Sequence, residues 1–130
     1  MESEQQLTKE TKTRALGELL YTFNLLTDPR SLKIVANIAY DNPNKNELKK
    51  RLGVGDEINN YIMKLKLVHM IYQSESRRYH LTNFGCNVVD FLVETRKVIR
   101  NIPEESLSSE VIDMKKTLLE YLKELDSKNR

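Results

Sequence analysis

The most informative part of the chain is residues 44–85, which read NKNELKKRLGVGDEINNYIMKLKLVHMIYQSESRRYHLTNFG. Asn44 and Glu47 have the spacing of a capping box, in which each side chain binds the backbone amide of the other residue. Leucines at four-residue spacing then lie on one helical face. Gly53 follows at the position where helices commonly end in a left-handed residue. These residues predict a short helix that begins at Asn44 and ends at a tight turn.

A second helix is predicted over residues 55–66, immediately after this turn. Ile58, Ile62 and Leu65 recur at spacings of four and three residues, which is typical of the buried stripe of an amphipathic helix. Asp56 is expected to cap the helix by placing negative charge at its positive end. The polar side of the helix is then left facing outward.

A hairpin is predicted to follow the two helices. Residues 68–72 are rich in residue types that favour strands, and residues 78–81 form a matching partner. The polar residues 73–77 between them are suited to an exposed tip. Thr82 lies where its side-chain oxygen can cap the next helix.

Amphipathic helices are predicted on both sides of this unit. Residues 12–26 form the first of them, preceded by residues 1–9, which we expect to be frayed. Asp28 and Pro29 mark the start of the next helix, as its cap and its first residue, and Asp41-Asn42-Pro43 is expected to end it. The apolar stripe of the first helix consists of Leu16, Leu19, Leu20, Phe23 and Leu26.

Two more helices are predicted after the hairpin, over residues 84–100 and 104–125. The last of them carries apolar residues in steps of three and four. Its stripe consists of Val111, Met114, Leu118, Tyr121 and Leu125. The central unit cannot cover the apolar stripes of all the flanking helices, so a symmetric second copy is expected to cover the remainder.

Three segments occur in order within the chain: DPRSLKIV (28–35), NELKKRLGV (46–54) and YHLTNFG (79–85). They resemble the first core helix, the second helix with its turn, and the exit from the wing of the ArsR-like and MarR-like winged-helix regulators. Those regulators are mostly dimeric DNA-binding transcription factors of bacteria and archaea. The resemblance extends to about residue 92 and implies the same fold and function here.

The expected fold class is therefore mainly α with a small β-hairpin wing, a winged helix-turn-helix with flanking dimerisation helices. Residues 1–27 would form a tail and a helix for packing or dimerisation. Residues 28–83 would form the DNA-binding domain, and residues 84–130 the C-terminal dimerisation helices.

Composition limits the class of protein. The chain has 130 residues, of which 39% are hydrophobic and 31% charged, which is enough for a folded domain with a core. Its net charge of +2 neither requires nor excludes nucleic acid. No apolar run has the length of a membrane span, and the polar start is unlike a secretory signal. Because Cys86 is the only cysteine, a reducing, cytoplasmic and nucleoid-associated location is expected.

The outward side of the second helix supplies the first candidate DNA-binding residues. Asn59 and Asn60 carry amide groups that can pair with an adenine edge in the major groove. Met63 and Lys64 share this side. The alternative interpretation is an ordinary solvated helix. The carboxylates of Asp56 and Glu57 near the helix start favour that alternative because they repel phosphate.

Two basic groups supply the other candidates. Lys45 and Lys49 belong to a basic patch on the first helix of the unit, where the alternative is a solvated face. Arg77 and Arg78 are placed at the hairpin tip, where arginines can grip phosphate or enter a minor groove. Their alternative role is hairpin solubility.

Metal binding and catalysis are not expected. Two histidines, His69 and His80, are predicted on facing strands, but a pair without a third ligand makes a poor site and favours a structural role. Cys86, Asp90 and Glu94 share one helical face, which chance explains better than ligation. We find no phosphate-binding glycine loop and no nucleophile beside a base, so we expect neither a cofactor nor an enzyme.

The sequence thus predicts a homodimeric, sequence-specific regulator of transcription that binds double-stranded DNA and is expected to act as a repressor. Two alternatives remain open. One is a winged-helix module for protein–protein interaction, and the other is an architectural protein that binds DNA without sequence preference.

Overall fold

The computed structural model describes residues 2–128, except for the side chains of residues 2–8, 124 and 126–128. This part of the chain is mainly helical with one small antiparallel hairpin, as predicted. Its elements are α1 (Glu2–Leu26), α2 (Pro29–Asp41), α3 (Lys45–Leu52), α4 (Ile58–Leu67), β1 (Ile71–Gln73), β2 (Tyr79–Leu81), α5 (Asn83–Arg100) and α6 (Ser109–Lys128). None of the described helices combines the length and the apolar content needed to cross a membrane.

Helix α2 lies at the centre of the core, in contact with α1, α3, α4, β2 and α6. Both of its predicted ends are confirmed. The Asp28 side chain accepts a hydrogen bond from the Arg30 amide at 2.9 Å, and Asn42 ends the helix in a left-handed conformation with φ 52°. Leu32, Ile34, Val35, Ala36 and Ile38 are all buried. Burying each of the larger side chains contributes about 1.5 to 3 kcal/mol, so α2 organises the helices around it.

The predicted start of α3 and the predicted turn after it are both confirmed. Asn44 Oδ1 accepts from the Glu47 amide at 2.9 Å, and Gly53 takes the left-handed conformation with φ 63°. The other predicted contact of the capping box, from the Glu47 side chain to the Asn44 amide, is replaced, because the Glu47 carboxylate contacts Arg51 and Arg78. The predicted start of α4 at residue 55 is wrong. The segment before Ile58 forms a turn, and α4 begins at Ile58.

The hairpin is shorter than predicted. Its register pairs Ile71 with Leu81 and Gln73 with Tyr79. The predicted strand start at residue 68 is wrong because α4 ends in a Schellman motif. In that motif His69 has φ 60° and donates its amide to the Lys66 carbonyl at 3.0 Å, while the Met70 amide reaches the Leu65 carbonyl at 3.0 Å.

The start of α5 is fixed by Thr82, as predicted. Its hydroxyl oxygen accepts from the Gly85 amide at 2.9 Å. Gly85 lies against the backbone of the preceding turn, so closely that a Cβ atom there would be 2.1 Å from the Met70 carbonyl oxygen. A glycine is therefore needed for α5 to pack on the end of the α4–β1 connection.

Helix α6 packs on α5 and α2. The predicted start at Glu104 is wrong, because Glu104–Ser106 form a separate 3₁₀ turn. Ser108 is the better cap, since its hydroxyl accepts from the Val111 amide at 3.4 Å. Farther along, the Tyr121 hydroxyl donates to the Leu26 carbonyl. Burial raises the pKa of Tyr121 to about 12.

Helix α1 is longer than predicted and only partly packed. It begins at Glu2, so the expected frayed segment is wrong within the described chain, and Met1 lies outside the described residues. Glutamate, glutamine and lysine, which dominate this start, are good helix formers. Thr22 and Leu26 are buried, whereas Leu16 and Leu20 are more than half exposed. The predicted stripe of α1 is therefore only half covered within one protomer.

Candidate nucleic-acid interface

The outward face of α4, defined here as Asn59, Asn60 and Met63, lies opposite the buried stripe of that helix. Both asparagines are exposed, and Met63 is 54% exposed. Lys64 lies beside them and is half-buried. No other element of the described chain covers this face, so it is open to a partner.

The first turn of α4 supports this face through its backbone. The amides of Ile58, Asn59 and Asn60 donate to the carbonyls three residues earlier, at 3.3, 3.0 and 3.2 Å. Glu57 occupies the cap position without a side-chain cap hydrogen bond. Because their side chains are not used to cap the helix, the two asparagine amides remain available to a ligand.

Asp56 has a different role from the one predicted. Its Oδ1 lies 2.8 Å from Lys49 Nζ, and this hydrogen bond, together with the charge of Lys49, lowers the pKa of the Asp56 carboxyl. It therefore joins α3 to the turn before α4 instead of capping α4. Lys49 is consequently a neutralised cation. Lys45 makes no ion pair within 4.0 Å among the described residues, although its charge also helps to lower the pKa of Asp56.

The two arginines of the hairpin tip, defined here as Ser74–Arg78, are in different environments. Arg78 is anchored by Nη1, which donates to the Asn42 carbonyl at 3.1 Å, and by Nη2, which lies 3.4 Å from Glu47 Oε1. Arg77 is exposed, and its guanidinium has no partner among the described side chains. Arg77 is thus the free cation of the tip, while Arg78 joins the hairpin to α3 and to the end of α2.

Two polar residues connect α4 to the hairpin. Lys66 Nζ lies 5.6 Å from the centroid of the Tyr79 ring and 3.5 Å from Gln73 Oε1. Gln73 Nε2 in turn donates to the Arg77 carbonyl at 3.2 Å. Gln73 has no distinguishing signal in the sequence, since its role depends on the register of the hairpin.

The predicted placement of His69 on a strand that faces His80 is wrong. His69 lies in the turn that ends α4, whereas His80 is on β2 and stacks on Tyr72 with ring centroids 5.2 Å apart. Cys86 is an exposed free thiol. Within the described part of the chain, no group of three or more histidine, cysteine, aspartate or glutamate side chains has a metal-binding arrangement.

Several large apolar side chains of the flanking helices are also exposed. They belong to α1, α5 and α6: Leu16, Leu20, Phe91, Val98, Val111, Met114 and Leu118. A groove of about 740 Å³ lies where α1 meets the α4–β1 connection and Phe84. Where exposed apolar side chains adjoin one another, they form the kind of patch that binds a partner.

Comparisons with protein-family profiles, with curated proteins and with solved structures find no match to this chain.

Proposed function

We propose that this chain is a winged helix-turn-helix regulator of transcription that binds double-stranded DNA in a sequence-specific manner as a homodimer. The observation that carries the proposal is the uncovered outward face of α4 next to a hairpin whose tip presents an unpaired arginine. A single helix with a polar, exposed side has the dimensions needed to enter a major groove.

The side chains of this face suit base edges. Asn59 and Asn60 can each form a bidentate pair with adenine, and Met63 can contact a thymine methyl group. Lys64 would meet a phosphate. Arg77 extends from the hairpin tip, where it can bind the flanking backbone or a narrow minor groove. Base contacts from α4 would then give sequence preference, and Lys45 and Arg77 would add affinity.

The homodimer is proposed from the exposed apolar side chains of α1, α5 and α6. A two-fold pair would present two copies of α4 to half-sites about one helical turn apart, roughly 34 Å centre to centre. Occupation of a promoter by such a dimer would repress transcription. The proposal assigns the chain no enzymatic activity and no cofactor, and it places the dimer at the nucleoid in the cytoplasm.

Selection of bound sequences from a random duplex pool tests this proposal. We expect enrichment of a two-fold symmetric sequence with A·T pairs in each half-site. Titration of the enriched duplex against a random duplex, at several salt concentrations, then separates sequence preference from general affinity. Equal affinity for both duplexes would instead support an architectural DNA-binding protein.

A protein–protein interaction module is the second candidate. The observation that favours it is the neutralisation of Lys49 by Asp56 and of Arg78 by Glu47, which reduces the positive charge near α4. Met63 and Leu67 also place exposed apolar atoms on α4. Failure to bind any duplex at low salt would favour this candidate.

A further inference from the structure

Arg77 occupies a backbone position that favours glycine. Its φ is 65°, and its amide donates to the Ser74 carbonyl at 2.9 Å across the turn. Three-residue hairpin loops commonly place a left-handed residue at this point, most often glycine, because a Cβ atom is unfavourable there. Arg77 is thus strained at a position where glycine would form the same hairpin without strain.

The strained residue is held from two sides. The Ser74 amide donates to the Arg78 carbonyl at 2.9 Å and closes the loop beyond Arg77. The Gln73 side chain donates to the Arg77 carbonyl itself at 3.2 Å. A strained conformation persists only where its surroundings enforce it, and such positions cluster at functional sites.

The second contact begins on α4. Lys66 Nζ donates to Gln73 Oε1 at 3.5 Å while it lies over the ring of Tyr79. The amide of Gln73 therefore accepts from α4 with its oxygen and donates to the hairpin tip with its nitrogen. One side chain thus links the orientation of the hairpin tip to the last turn of α4.

We infer that Gln73 is a positioning residue, which fixes Arg77 relative to the outward face of α4 through the chain Lys66–Gln73–Arg77. The inference rests on the proposed function, since it assigns Arg77 the task of contacting DNA beside the groove that α4 occupies. It adds that Gln73 acts on DNA affinity without touching DNA.

A double-mutant cycle of Gln73→Met and Arg77→Gly, measured by fluorescence titration of the selected duplex at fixed salt, tests this inference. Gln73→Met keeps the length of the side chain and removes both hydrogen bonds. With Arg77 present, we expect it to weaken binding about fivefold, the effect of one hydrogen bond. In the Arg77→Gly background, the same substitution should change affinity by less than about twofold, because the side chain that Gln73 positions is absent.

Arg77→Gly also tests the strain directly. This variant should resist denaturant better than the natural chain but bind DNA less tightly. If Arg77 were purely structural, its replacement would not raise stability and lower DNA affinity at the same time. The inference is overturned if Gln73→Met weakens binding equally in both backgrounds, or has no effect in either. If the natural chain binds no duplex, both the proposed function and this inference fail. If the chain binds DNA but Gln73→Met has the same effect on affinity in both backgrounds, only the inference fails.

Discussion

Lys49 Nζ and Asp56 Oδ1 lie 2.8 Å apart and join α3 to the turn before α4. The hydrogen bond from Lys49 lowers the pKa of Asp56, so the pair stabilises the fold above the ordinary carboxyl pKa and is lost as the pH falls through the lowered value. Because Asp56 is exposed, the contribution to stability is small. The pair matters more for charge, since it neutralises a lysine near the proposed DNA surface.

Asp56→Asn is expected to strengthen DNA binding. The substitution removes a carboxylate that repels phosphate and frees Lys49 to neutralise one, which would steepen the log–log salt dependence by about 0.9. Fluorescence titration of a random duplex between low and moderate salt measures the slope. Asp113→Asn is the matched control, because it removes an exposed carboxylate from α6, far along the chain from this surface. Equal slopes for both variants would show that Lys49 gains no phosphate.

Arg78→Ala and Arg77→Ala are expected to differ. Arg78→Ala removes the contacts with the Asn42 carbonyl and with Glu47, so the free energy of unfolding should fall by about 1 kcal/mol. Arg77→Ala breaks no described side-chain contact and should mainly reduce DNA affinity. Chemical denaturation and duplex titration of both variants give the comparison. A loss of stability in Arg77→Ala equal to that in Arg78→Ala would contradict the distinction.

Gly85→Ala should destabilise the fold. The added Cβ would lie 2.1 Å from the Met70 carbonyl oxygen, so the backbone at the start of α5 must shift, at a cost of about 1 to 3 kcal/mol. Gly17→Ala is the control, because a Cβ added there in α1 would meet nothing within 4 Å and alanine favours helix by about 0.5 to 1 kcal/mol. Thermal unfolding should therefore move in opposite directions for the two variants. Equal melting temperatures would contradict the packing described for Gly85.

The proposed dimer predicts that Leu16→Glu with Leu20→Glu yields a monomer. Both leucines are more than half exposed in the protomer, so their replacement should leave its fold intact. Light scattering should give twice 15.2 kDa for the natural chain and 15.2 kDa for the variant. Met63→Glu, on the outward face of α4, should keep the mass of the natural chain. If light scattering gives the mass of a monomer for the natural chain, the proposed dimer is refuted.

Local signals in the sequence predicted most of the fold. Asn44, Gly53 and Thr82 act within a few residues of their own position, so capping patterns identify them without tertiary information. The errors have two sources, a local turn at a helix end that no glycine marks and contacts between distant parts of the chain. His69 ends α4 in a left-handed turn instead of starting a strand, and Arg78 binds residues more than thirty positions away.

The sequence predicted which residues lie on the outward face of α4, but it did not predict which of the nearby lysines and arginines are paired with carboxylates. The helical period alone places Asn59, Asn60 and Met63 opposite the buried stripe. Whether a lysine or arginine is free depends on which carboxylate the fold brings to it. Lys49 and Arg78 are paired for that reason, while Arg77 is not.

The central claim is that the outward face of α4 reads bases. Its most direct test is the affinity of the Asn59→Ala, Asn60→Ala double variant for the selected duplex and for a random duplex at the same salt. We expect a loss of at least about tenfold on the selected duplex, since each bidentate pair is worth about 1 to 3 kcal/mol, with little change on the random duplex and in the free energy of unfolding. Undiminished affinity for the selected duplex would contradict the claim.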